Sequence, residues 1–580
     1  MPRSAPRTAL AAALLAALSA PAADAQVNYT DVTAAVGLDF MHQYGPTLPY
    51  EPDISFPFQQ GLDIIQRNNG NGAAVGDYDN DGDLDIFFTG QKTFRSALYR
   101  NDLPTGFTNV TASAGIFNRG QSRMAQFTDL DNDGWVDLIL ANDKLPGSPT
   151  TKTQSGGFFR GQVLTNGNGG SPFAGQADAG SSVYRNNGDG TFTDVAEGSG
   201  FDFTGYIIGG MGTVDFDQDG LVDVYVTTWG GLQDDGPLDD DDYTLMEGYC
   251  RLYWNRGNFQ FQDVTRLMGL GKLQTNAFTP IFADFDRDGD SDLFISVDAY
   301  PDKFYRFDGG IFVDQSAQVG ATHVGTDMGV AAADFDDDGD VDLYVTNVTD
   351  PAGAYGGNTL LVNQLIETGT LSFVDEAVAR GVHDTGWGWG TEWVDVDNDG
   401  DRDLYAVSGY DDFVLWEGLH VGMIDRPADL FINDGSGFFT PSVNTGAEVV
   451  GDARVAIAFD ADRDGDQDLL VTHVDVPPAL LLSDLNDTAP VNHWIDLKLV
   501  GAGSVPRDAI GARITLLVGS QTMTHEVIGG GSYMAGLPLE AHFGLGSATL
   551  IDQIRVGWPD NTSTILNDVA VDQYLVIQHP

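Results

Sequence analysis

One nine-residue pattern occurs seven times along this chain, and it limits the fold more than any other feature. Aspartate stands at positions 1, 3, 5 and 9 of every copy and glycine at position 6. The copies supply Asp77, Asp79, Asp81 and Asp85; Asp129, Asp131, Asp133 and Asp137; Asp215, Asp217, Asp219 and Asp223; and Asp284, Asp286, Asp288 and Asp292. They continue with Asp334, Asp336, Asp338 and Asp342; Asp395, Asp397, Asp399 and Asp403; and Asp460, Asp462, Asp464 and Asp468. Clustered carboxylates repel at neutral pH. A chain that repeats such a cluster in register has something that cancels the repulsion.

The spacing points to calcium. Alternate side chains turn inward, the glycine allows a sharp turn, and a backbone carbonyl at position 7 adds a neutral oxygen to the shell. Position 7 varies in the way a main-chain ligand allows: Asp83, Trp135, Leu221, Asp290, Asp340, Asp401 and Asp466. The loops are not EF-hands, which need a glutamate at position 12 and flanking helices. Position 12 here is Phe88, Leu140, Val226, Ile295, Val345, Ala406 or Val471, each inside a short apolar run that reads as a strand. A merely acidic, solvated turn accounts for one such loop better than for seven. The expectation is about seven calcium ions per chain.

Each loop belongs to a larger unit. A small-residue strand such as GAAVGD precedes it, and a strand ending in an asparagine-rich turn (ALYRND, SVYRNN, RLYWNR) and an FTDVT-type strand follow. Four strands per unit, with loops 52, 86, 69, 50, 61 and 65 residues apart, predict an all-β fold: a seven-bladed β-propeller over residues 26–490. The seventh unit lacks its fourth strand, and a stray copy, YTDVT (29–33), stands near the N-terminus. It is expected to complete the last blade and remove two open sheet edges. Two insertions read as surface loops: 144–181, rich in Gly, Ser and Thr, and 230–249, whose Asp239 to Asp242 form either an extra cation site or a solvated acidic loop. From about residue 491 the alternation in WIDLKLVG, ARITLLVG and IRVGWP predicts a C-terminal β-sandwich-like domain, 491–580.

The formal charge is −57, from 85 acidic and 28 basic residues, and seven calcium ions would bring it only to −43. Nucleic acid and anionic membrane surfaces are therefore not expected partners. Residues 1–25 read as a signal peptide: Arg3 and Arg7, an apolar run, then Ala23-Asp24-Ala25 as a cleavage site. No other stretch is apolar enough to span a membrane. The expected location is secreted, meaning extracellular, cell-surface or periplasmic. Cys250 has no partner in the chain and reads as a packed small residue.

The repeats resemble FG-GAP/VCBS blades. The tail, on IGARITLLVG (510–519), HEVIGGGSYMAG (525–536), HFGLG (542–546) and VGWPDNTSTIL (556–566), resembles the ASPIC/UnbV domain. Together they make the chain similar to a bacterial-type member of the cartilage acidic protein 1 family. That resemblance implies extracellular calcium binding and adhesion or matrix interaction, with a protein or glycan ligand. The disulfide bracing of animal relatives does not carry over, because paired cysteines are missing.

Arg123, Asp327, Trp387, Trp389, Glu392 and Arg454 are candidate channel groups. They suit either a sugar lyase or epimerase at the channel mouth, or a water-filled channel of mutually paired side chains. His323 and His383 read as loop residues rather than ligands; Glu526 and His542 belong to the tail motifs, with a structural role at least as fitting as a chemical one. No HExxH, nucleophile elbow or phosphate loop is present. The reading is a calcium-stabilised binding or adhesion module and not an enzyme. An exported sugar-active enzyme is the alternative, and an adhesin displaying the two insertions is a third reading.

Overall fold

The computed structural model describes residues 27–41, 70, 72–90, 96–117, 120–143, 181–201, 207–229, 250–271, 276–349, 356–409, 426–474, 476–486 and 492–580. The expected signal segment, almost all of the 144–181 insertion, and 230–249 with its four aspartates lie outside them. The fold is all-β. Seven sheets, one per aspartate loop, each have four antiparallel strands, in chain order in the first six and completed by the N-terminal strand in the seventh; the first and fourth sheets carry one strand more. No helix among the described residues is long and apolar enough to cross a membrane.

Every sheet is built alike. Its first strand runs into the loop: Ala73–Gly76, Gln121–Thr128, Ile207–Val214, Ala277–Ala283, Val330–Ala333, Gly388–Val394 and Ala453–Phe459. Its second strand starts at the position-9 aspartate in all seven, as in Asp85–Phe88 and Asp468–His473. The first strands sit side by side around the centre, where all but a few side chains are buried because small residues allow close approach.

The ring is closed in two ways. Tyr29–Asp31 pairs with Ala479–Ser483 as the fourth strand of the seventh sheet, in register Tyr29 to Ser483 and Asp31 to Leu481. The stray N-terminal strand thus has the place its sequence predicts. The asparagine-rich turns supply the second closure. Asn186 and Asn255 donate from Nδ2 to the position-2 carbonyls of the preceding loops, Tyr78 and Leu130. Asn101 does the same across the chain ends, to the Ala461 carbonyl at 2.7 Å.

The C-terminal part forms two sheets. One contains His493–Val500 between Ala541–Gly546 and Gln573–Gln578, and the other orders Gln521–Glu526, Arg513–Val518, Leu550–Gly557 and Ser563–Ala570. Ile495, Leu497, Leu516, Phe543 and Ile554 from both sheets share one core, and that core continues into the second and third propeller sheets through Met124, Leu130 and Val222.

Candidate metal centres

Within each loop the backbone prearranges the carboxylates. The position-7 N–H donates to the position-5 carboxylate in all seven loops, for example Trp135 to Asp133 at 3.0 Å and Leu221 to Asp219 at 2.9 Å. Position-1 carboxylates accept the N–H groups of positions 5 and 6, as Asp129 does from Asp133 and Gly134. Position-9 carboxylates accept from position 2 and from the end of the third strand, as Asp85 does from Tyr78 and Asn101. One oxygen each of Asp77, Asp79 and Asp85 lies within 4.8 Å of the others, and so it is for Asp129, Asp131 and Asp137 and for Asp215, Asp217 and Asp223.

These acceptors are not all used. Asp334, Asp336, Asp338, Asp340 and Asp342 each keep one buried oxygen without a hydrogen-bond partner, and Asp77, Asp79, Asp131 and Asp466 do likewise. Orphaned buried acceptors are costly unless something absent from the chain itself satisfies them. Burial pushes Asp85, Asp137 and Asp292 up to about 9, and Asp129, Asp215, Asp284, Asp395 and Asp460 up to about 7. The donor set is all oxygen and converges, so it fits a hard dication.

At position 7 the side chains have neighbours outside their loops. The buried Asp340 and Asp466 side chains each accept an N–H from outside the loop, that of Ile366 and of Asn486. Trp135 and Leu221 pack near Gly188 and Gly257, in the corresponding turns of their own sheets. Asp338→Ala should therefore weaken calcium binding at its loop by tenfold or more, and Leu221→Ser should change its loop less than threefold. Calorimetric titration of both variants checks this, and equal losses would refute the main-chain role.

Position 4 carries a role the sequence pattern did not reveal. Its residue is left-handed in every loop, from Asn80 (φ 55°) to Arg463 (φ 63°). From there Asn80, Asn132, Gln218 and Asn398 donate to the position-6 carbonyls of the following loops, Gly134, Gly220, Gly289 and Gly465. Neighbouring candidate metal centres are thereby linked around the ring.

The C-terminal domain covers this whole face. Lys498 Nζ is 3.3 Å from Asp77, Asp508 accepts from Thr128 and the Asp129 N–H, and Glu526 accepts the Asp284 N–H at 2.9 Å. Gly220 abuts the Gly503 carbonyl, and Thr524 donates to Asp334. His542 meets Asn398 at 2.7 Å, and Tyr574 donates to Asp460. All seven loops touch it. Glu526 and His542 are thus both in contact across the two domains.

The centre of the ring differs from the expected water-filled channel. Residues 529–536 leave the C-terminal domain and enter it. Ala535–Gly536 adds a parallel strand to Ala73–Gly76, Gly529 bridges Thr213, and Ser532 bridges Val330. The Ser532 hydroxyl donates to the Ala456 carbonyl and accepts the Thr391 N–H. Tyr533 is fully buried against Phe278 (5.5 Å between centroids) and Trp389 (4.9 Å). Irregular register in the first strands at Ala277/Pro280, Gly388/Thr391 and Ala453/Val455 accompanies this inward turn of Phe278, Trp389 and Arg454. Arg454 lies over the Trp389 ring, and Arg123 pairs with Asp143 at 2.7 Å. Trp387 is half-buried, in an isolated bridge with Val348. Glu392 faces the interdomain space, near Arg402, and burial pushes it to about 8. The candidate channel groups therefore do not line one open mouth. Cys250 is buried and unpaired as a disulfide partner, as a packed residue should be.

His383 contacts the Asn358 carbonyl from a loop. His323 also lies outside the strands, just before Val324–Thr326, with its Nδ1 2.9 Å from the buried Asp327.

An all-β ring of aspartate-loop sheets capped by a sandwich is the class that this fold and site define. Residues 77–140, 163–226, 239–295 and 284–345 match the FG-GAP-like repeat family, and residues 502–580 match ASPIC and UnbV. The chain is thus a protein of FG-GAP-like repeats followed by an ASPIC/UnbV domain. A search of curated protein sequences finds no match. Among solved structures, the chain is similar to a Bacillus licheniformis rhamnogalacturonan lyase PL11 (12% identity, 79% of this chain and 75% of that one, TM-score 0.35). It is also similar to BBS1N in complex with ARL6DN (10%, 72% and 92%, TM-score 0.37). A third likeness, to the Photorhabdus luminescens Tc holotoxin pore, covers 84% of this chain and 16% of that one at 12% identity and TM-score 0.30. Likenesses this weak carry no functional argument.

Proposed function

We propose that the protein is an exported calcium-binding propeller, of the cartilage acidic protein 1 type, that acts as a binding or adhesion module for an extracellular protein or glycan. The observation that carries the calcium part is the fifth loop, where five consecutive alternate aspartates each hold out one unpartnered buried oxygen. Calcium at Asp334, Asp336, Asp338 and Asp342, with the position-7 carbonyl, would satisfy four of these five oxygens and neutralise the cluster. The same residue set would serve in the other six loops. Export is supported by the signal-like residues 1–25.

Binding rather than catalysis is favoured because the centre of the ring is filled by this chain's own Tyr533, Phe278 and Trp389. The calcium-loop face is covered by the C-terminal domain. The opposite face, where the second strands end and the long connections after Asp143, Trp229 and Ser408 begin, is the surface left for a ligand. A glycan and protein array probed with the calcium-saturated protein and with chelator present tests this. Calcium-dependent capture without turnover is expected. Release of unsaturated sugar products would instead establish a lyase.

A further inference from the structure

The fourth sheet departs from the repeat. Its second strand, Asp292–Pro301, has ten residues where the other six have four to seven. The extra length pairs with an added strand, Val324–Thr326, through Asp298 and Gly325. This addition sits at the end of the strand remote from the Asp284 loop, and the residues flanking it are His323 and Asp327. Both lie beside Asp302, whose N–H donates to the His323 carbonyl at 3.0 Å.

One carboxylate oxygen each of Asp302 and Asp327 and a ring nitrogen of His323 fall within 4.8 Å of one another. Both carboxylates are completely buried, and the His323 side chain is 22% exposed. Asp302 Oδ1 accepts the Val297 N–H at 2.9 Å, while Oδ2 is buried with no partner. Asp327 Oδ1 accepts Asn347 Nδ2 at 3.0 Å, and Asn347 Oδ1 is itself held by the Thr326 N–H and hydroxyl. The imidazole is held in place too: a Cβ on Gly325 would come within 2.7 Å of it, and one on Gly356 within 3.2 Å.

We infer that Asp302, His323 and Asp327 form a metal site distinct from the aspartate loops, for a first-row transition-metal dication such as Zn2+ rather than calcium. Two facing buried carboxylates repel unless a proton or cation lies between them, and the unpartnered Asp302 oxygen is a ligand atom in waiting. An imidazole in the set selects a borderline metal, where calcium selects oxygen alone. His323 Nδ1 lies 2.9 and 3.0 Å from the two Asp327 oxygens, a hydrogen-bonded pair somewhat tighter than the ~3.4 Å edge of a tetrahedral zinc site, so a metal entering here displaces the shared proton and opens the pair slightly. Asn347 and the Val297 N–H are the outer hydrogen bonds that orient such ligands. Three protein ligands leave a position for an oxygen from outside, and the partly exposed His323 marks the side from which it enters.

The test is calorimetric titration of the full chain with Zn2+ in excess calcium, with calcium content measured before and after. One Zn2+ per chain should bind without loss of calcium. His323→Gln and Asp302→Asn should each weaken it by tenfold or more. Asp302→Asn keeps an acceptor for Val297 and removes a buried charge, so its metal-free melting temperature should be unchanged or higher. That result shows that lost binding is not lost folding. Co2+ in place of Zn2+ should give a visible ligand-field band that His323→Gln removes. No zinc binding, binding that expels calcium ion for ion, or binding undiminished in both variants would overturn the assignment.

Discussion

Removing calcium at pH 8 is expected to lower the melting temperature by on the order of ten degrees or more, and removing it at pH 5 by much less. A ligand that binds only the native state adds roughly 2.7 kcal/mol per site at a hundredfold excess over its dissociation constant, and seven loops add on one ring. The pH dependence follows from the metal-free carboxylates. Burial raises the position-1 aspartates Asp129, Asp215, Asp284, Asp395 and Asp460 to about 7, and the position-9 aspartates Asp85, Asp137 and Asp292 to about 9. An unfolded aspartate titrates near 3.9. The metal-free native state therefore holds more protons than the unfolded chain between about pH 4 and 9. Its stability is greatest at the acid end of that window and is lost as pH rises through 7 and then 9. The calcium form runs the other way, because its ligands must be ionised, so acid removes the calcium contribution. Melts of calcium-stripped and calcium-saturated protein at pH 5, 6.5 and 8 check both slopes. A stripped protein whose melting temperature stays level or falls from pH 8 to pH 6 would falsify this account of the loops.

What the sequence made legible is what repeats locally. The DxDxDGxxD spacing, the strand that starts at position 9 and the displaced Tyr29–Asp31 strand could be read because their signals are short and recur. The links between loops could not. Position 4 reads Asn, Asn, Gln, Arg, Asp, Asn, Arg and looks unconstrained. Its common demands are a left-handed backbone and, in four loops, a donor to a distant carbonyl, which different side chains meet. The plug was hidden for another reason. Gly529, Gly530 and Gly531 stand inside the HEVIGGGSYMAG motif of the tail domain, and nothing local says that the chain crosses into the ring. Gly530 and Gly531 take φ of 136° and 132°, which side-chain-bearing residues rarely adopt, as the backbone passes the Gly212 and Val330 main chains. His323 and Asp302 lie 21 residues apart with no shared motif. Only the added Val324–Thr326 strand, an exception to the repeat, brings them together.

Tyr533→Ala is expected to destabilise the whole chain, not the C-terminal domain alone. The ring is fully buried between Phe278 and Trp389, residues of the fourth and sixth sheets, while its own backbone neighbours bond to the fifth, sixth and seventh through Ser532. Truncating a buried aromatic of this kind costs about 3–5 kcal/mol. The cavity left here sits where sheets from all sides of the ring converge, so no single neighbour can collapse into it. Because the seven loops also lie under Lys498, Glu526, Thr524, His542 and Tyr574, loosening the plug should lower calcium affinity as well as stability. Tyr533→Phe keeps the ring and should lose much less of both than Tyr533→Ala. The measurements are a calorimetric melt in calcium, where the parent should unfold in one cooperative transition, and a calcium titration of each variant. A Tyr533→Ala protein that melts within a degree of the parent, or a parent that melts in two independent steps, would mean the domain merely rests on the propeller and the plug does not join them.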